Sequence, residues 1–109
     1  VLTTKAISME HRDLRSTLAT YRQRIDNLDA ALVHVLAERF RCTDEIGALK
    51  AEHGLPARDE GREERQLARA IDLASAAHVD QQLIVDILGF VIAKVVGRHE
   101  QISKEQHGG

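Results

Sequence analysis

Apolar residues return at alternating steps of three and four through the first half of the chain. They are Leu14, Leu18, Tyr21, Ile25, Leu28, Leu32, Val35, Leu36, Phe40, Ile46 and Leu49. That spacing places them on one stripe of an α-helix. No proline and a single glycine, Gly47, fall between Glu10 and His53. The pattern therefore predicts one helix over about 10–53, roughly 60 Å long. Gly54-Leu55-Pro56 ends it, because glycine suits a helix C-terminus and proline blocks continuation. Asp59 stands at the N-cap of a second helix, about 60–76, with Leu67, Ala70, Ile71 and Ala74 on its apolar side. His78-Val79 is a short break. Asp80 then caps a third helix, about 80–103, carrying Ile84, Ile87, Leu88, Val91, Ile92, Val95 and Ile102.

The expected fold is all-α, one very long helix plus two shorter helices, in a single domain over residues 1–109. No strand pattern competes with it. A helix of that length outruns a compact monomer of 109 residues. A partner chain is expected to cover the stripe that the later helices cannot, which predicts a homodimer.

Composition narrows the function. Aromatic residues are scarce, at 3%, so bases would find little to stack on. The net charge is −2, with acids and bases interspersed and no basic stripe; nucleic acid is not an expected partner. Cys42 is the only cysteine, which rules out an intramolecular disulfide and points to a reducing, cytoplasmic setting. No apolar run approaches a membrane span, so no membrane association is expected. The stretch Val1 to Glu10 lacks the apolar centre of a secretion signal. Gln106-His107-Gly108-Gly109 reads as a frayed tail.

The informative residues are charges inside the apolar stripe. Along the heptad Ile25, Leu32, 39 and Ile46, position 39 is Arg39. Along Leu36, Thr43 and 50, position 50 is Lys50. Both cations point inward, where a desolvated charge needs an anionic partner or costs several kcal/mol. Eleven residues are close to three turns, so the pair shares a face about 16 Å apart along the axis. Residues alone leave two readings open: stems that snorkel or pair with later helices, or a site for a small anion between the heads. Arg22 lies about 25 Å from Arg39 along the axis, out of reach of the same small ligand in one chain. It is either a solvated surface arginine or a residue that enters a partner's site.

Asp59, Arg62 and Glu63 cluster at the start of the second helix. Capping and the helix dipole account for Asp59 and Glu63. Arg62 opposes that dipole, which asks for an anionic ligand or a carboxylate nearby. His99 falls on the apolar stripe of the third helix, as a satisfied core histidine or as a functional one. Cys42 reads as a small packing residue. The scattered histidines lack metal-ligand spacing, and no nucleophile–base pair, phosphate loop or pair of catalytic carboxylates stands out. No metal or cofactor is expected. An enzyme made of these parts works by electrostatics and positioning.

The ordered set Arg22-x-x-Ile25-Asp26-x-Leu28-Asp29, Leu36-Ala37-Glu38-Arg39, Ile46-Gly47-x-x-Lys50 and Asp59-x-x-Arg62-Glu63 resembles the all-helical class of chorismate mutases, over about Leu18 to Ile102. The resemblance implies an intertwined homodimer that rearranges chorismate to prephenate in aromatic amino acid biosynthesis. It implies that Arg39 binds one substrate carboxylate and Arg22 of the other chain the second. Lys50 would donate to the ether oxygen and a carboxylate, Asp59 and Glu63 would orient the hydroxyl, and Arg62 would support the site. The third helix departs from the family pattern. Val95 stands where a hydroxyl residue often sits, and His99 where a Gln or an acid hydrogen-bonds the breaking ether bond. Glu100 and Gln101 compete for that place if the helix is offset. The catalytic residues implied are thus Arg39, Lys50 and His99.

The implied reaction is pericyclic and needs no base or nucleophile. The site must select the compact diaxial conformer and stabilise charge growing on the ether oxygen. Three rivals stand beside it: an isochorismate-pyruvate lyase, a mutase of amino-substituted chorismate, and a non-catalytic helical dimer acting as a regulator or scaffold. With no regulatory domain read in this chain, feedback control would fall to a regulatory partner protein or be absent.

Overall fold

The structure is a computed structural model that describes the backbone of residues 4–107 and the side chains of residues 10–107. The expectations for Val1 to Thr3, and for Gly108 and Gly109, lie outside the described residues. The described residues form three helices: α1 (Thr4–Glu52), α2 (Glu60–Ala76) and α3 (Gln81–His107). No strand occurs among the described residues. Among them, no helix is long and apolar enough to cross a membrane.

Two of the expected boundaries shift. α1 starts at Thr4 rather than near Glu10, since no breaker stands in between. α3 runs past Ser103 to His107, so the expected fraying of Gln106 and His107 is corrected. The reason is a long-range contact: His107 Nε2 lies 2.7 Å from the Ala51 carbonyl oxygen in the last turn of α1.

The helix ends follow from their residues. Gly54, at φ +66°, takes the left-handed position after α1. The Leu55 amide donates to the Lys50 carbonyl at 2.8 Å, and the Gly54 amide to the Ala51 carbonyl at 3.3 Å. These are the two bonds of a Schellman motif. Asp59 caps α2 by accepting from the Arg62 amide at 3.0 Å. Asp80 does the same for α3, accepting from the Leu83 amide at 3.0 Å. The end of α2 repeats the Schellman pattern, His78 N to Ser75 O and Val79 N to Ala74 O. Here His78 holds the left-handed position, at φ 59°.

The chain divides into two units, Val1–Glu38 and Arg39–Gly109. The described part of the first is helix alone, and its apolar stripe faces outward: Leu28 is 66% exposed and Leu32 56%. The second holds the core. α2 packs on α3, with Ala70 and Ala74 buried on one helix and Val91 and Ile92 on the other. Small side chains on α2 let the two helices approach closely. Ala51, near the end of α1, is buried in the same unit. Cys42 is exposed, where the sequence reading expected packing.

Candidate active site

Within the second unit, three helices and one turn converge on a pocket that is open on one side. Arg39, Thr43 and Lys50 reach it from α1, Ala57 and Asp59 from the turn, Arg62, Glu63 and Gln66 from α2, and Ile92, Val95, Val96 and His99 from α3. Seven of the eight expected site residues therefore meet in one place. Arg22 is exposed on the first unit and does not line this pocket.

The cations are set as the heptad breaks require. Arg39 is half-buried, and its Nη1 is fully buried with no hydrogen-bond partner. An orphaned guanidinium nitrogen in a pocket wall suits an anionic ligand, because leaving it unpaired costs free energy. The Lys50 ammonium donates to the Ala57 carbonyl at 3.1 Å and lies 3.4 Å from His99 Nδ1. The other ring nitrogen, His99 Nε2, is 2.6 Å from the Thr43 carbonyl oxygen. His99 is 4% exposed. Glu100 and Gln101 are exposed and do not line the pocket, so the register of α3 favours His99 over both.

The carboxylates are already engaged by protein groups. Asp59 accepts the Arg62 amide, and Arg62 itself is exposed at the pocket edge. Glu63 pairs with Arg58, whose Nε donates to Oε2 at 3.0 Å. Arg58 thus offsets one of the two acids and leaves Arg39, Lys50 and Arg62 to set the sign of the pocket. Val95, half-buried, gives an apolar wall with Ile92 and Val96. Among the described residues, no three His, Cys, Asp or Glu side chains gather as a metal site.

The sequence reading missed four participants. Gln66 sits one turn beyond Arg62 and Glu63, and that i+3/i+4 spacing was the signal available for it. The carbonyls of Thr43 and Ala57 act through backbone atoms that every residue carries. Arg58 was hidden among the many charges of its turn.

Fold and pocket together define a class: a helical protein with a cationic, partly apolar pocket suited to a compact anion. The family model for chorismate mutase type II matches residues 21–100. The chain belongs to the chorismate mutase type II family. It is 38% identical over 71 residues to the T-protein of Enterobacter agglomerans, covering 65% of this chain and 19% of that protein. It is 34% identical over 90 residues to the bifunctional chorismate mutase/prephenate dehydratase of Escherichia coli (strain K12), covering 83% of this chain and 23% of that one. A bifunctional chorismate mutase/prephenate dehydratase of Buchnera aphidicola is 27% identical over the same length. The chain spans only 19% to 23% of the length of these relatives.

Proposed function

We propose that the chain is a chorismate mutase, converting chorismate to prephenate in this pocket. The observation that carries the reading is Arg39: a buried, unpartnered guanidinium nitrogen in the wall of the pocket that Lys50 also lines. A scaffold would gain stability by replacing such a cation with an apolar residue. A dicarboxylate substrate gives it a partner.

Arg39 clamps one carboxylate with the planar fork that suits this geometry. Lys50, already fixed by Ala57, presents an N–H toward the ether oxygen, where charge grows as the C–O bond breaks. Ile92, Val95 and Val96 exclude water along the apolar side of the ring. Asp59 and Glu63, on the first turn of α2, face the substrate hydroxyl, and Arg62 supports them at the rim. The chemistry is a rearrangement within one molecule, so the protein has only to hold the reactive conformer and meet the developing charge.

The working form is a homodimer in a cytoplasmic setting, with Arg22 of each chain completing the other's site. The exposed stripe of the first unit supports this: Leu14, Tyr21, Ile25, Leu28 and Leu32 are each more than half exposed in the single chain. Contiguous apolar surface of that kind marks a protein interface.

The test is an ultraviolet assay with chorismate and with isochorismate, products identified. Prephenate from chorismate, lost in Arg39→Ala, is the expected result. Pyruvate and salicylate from isochorismate with little turnover of chorismate would make the protein a lyase. Silence on both would refute the catalytic reading for these substrates.

A further inference from the structure

We infer that His99 is a positioning residue: it fixes the Lys50 ammonium through its Nδ1 lone pair and offers no N–H to the substrate. The inference rests on the mutase reading for its kinetic consequence, though not for its geometry. It departs from the donor role that the resemblance implies for this position.

The direction of each hydrogen bond follows from the atoms. A lysine ammonium has donors only, so the 3.4 Å contact with His99 requires Nδ1 to accept. A carbonyl oxygen accepts only, so the 2.6 Å contact with Thr43 requires Nε2 to donate. One form of the ring meets both conditions, the neutral Nε2–H imidazole. The imidazolium would set an N–H against the ammonium, and the other tautomer would set lone pairs against the Thr43 carbonyl. Buried to 4% exposure, the ring then has no N–H left to give a ligand.

Gly47 is why the ring can sit there. A Cβ at that position would lie 2.6 Å from His99 Cδ2, closer than real Cβ atoms approach, and 3.1 Å from Nε2, a tight contact. The absent side chain on α1 is a seat for a ring on α3, one turn from the carbonyl that orients it.

For Lys50 the consequence is directional. Its ammonium has three N–H groups; Ala57 O takes one and His99 Nδ1 a second. Fixing two of three tetrahedral directions fixes the last. Lys50 lines the pocket with Arg39, and one of its three donors is left for a ligand there. Preorganised donors of this kind need no rearrangement as charge develops.

The direct test is nitrogen NMR of the ring in the free protein. The inference expects a protonated Nε2 and a bare Nδ1 for His99 at neutral pH; a protonated Nδ1, in either the other tautomer or the imidazolium, overturns it. The kinetic test uses His99→Leu and His99→Gln, with helicity checked by circular dichroism. Leucine removes both hydrogen bonds, and kcat should fall on the order of tenfold, as expected for losing one charge-assisted bond. Glutamine carries a donor and an acceptor and should restore most of that loss. In a Lys50→Met background His99→Leu should cost nothing further; multiplying losses would show that His99 touches the substrate itself. Wild-type protein that turns over no chorismate would sink the mutase reading alone, since the nitrogen spectrum still decides the ring.

Discussion

Alanine at Gly47 puts the seating of His99 under direct strain. In an ordinary helix this change is favourable by about 1 kcal/mol. Here the new methyl would meet His99 Cδ2 at 2.6 Å and Ile102 Cδ1 at 3.0 Å. Overpacking of that kind costs about 1–3 kcal/mol. If the ring swings away to relieve it, a buried ring nitrogen instead loses its partner, at about 1–3 kcal/mol. Set against the helix gain, the balance is a net destabilisation of up to about 2 kcal/mol, or roughly 8 °C in Tm for a domain of this size. The assay is thermal unfolding at fixed protomer concentration, since an associating protein melts in a concentration-dependent way. Gly97→Ala serves as the control: nothing lies within 4 Å of its Cβ, so it should keep or raise Tm. The same Gly47→Ala protein should lose kcat on the order of tenfold, because Lys50 loses its brace. A Gly47→Ala protein as stable and as active as the parent would refute the whole construction around His99.

Three further outcomes are expected. Arg39→Met should raise the Tm of the ligand-free protein by removing an unpaired buried cation, while abolishing turnover; a fall in Tm would show that Arg39 is held by protein partners after all. His78→Gly should raise Tm, relieving a left-handed residue at about 1 kcal/mol, less the entropy glycine adds to the unfolded chain. Arg22→Ala and Arg39→Ala proteins, each inactive alone, should recover activity when mixed and allowed to exchange subunits, since the mixed dimer keeps one undamaged site; failure to recover in a mixture shown to contain mixed dimers would place Arg22 in its own chain's site.

The helices were legible because periodicity and breakers are local. α2 falls on the expected residues, with Asp59 and the Gly54-Leu55-Pro56 stop read from single positions. The end of α3 was not, because His107 is held by the Ala51 carbonyl, more than fifty residues away. Arg39 and Lys50 were visible as charges where the heptad calls for apolar residues, and His99 by its phase on the α3 stripe. Their chemistry was less visible. Whether His99 donates or accepts depends on the Thr43 carbonyl and the bare face of Gly47, and neither carries a side-chain signature. Glu63 was read as a capping acid, while its pairing with Arg58 turns on how the turn folds back. Sequence therefore showed which residues gather, and the backbone decides what they can do.

The turn between α1 and α2 is closed around a single residue. The Lys50 carbonyl holds the Leu55 amide, and the Lys50 ammonium holds the Ala57 carbonyl seven positions on. One of the two contacts that aim the Lys50 ammonium is thus local, made as soon as this short segment closes, while the other waits on His99 of α3. Hydrogen–deuterium exchange at the Leu55 amide consequently becomes a gauge of how firmly the lysine is aimed. Sequence changes in the loop that speed that exchange will slow catalysis, even where they touch neither the pocket nor the substrate.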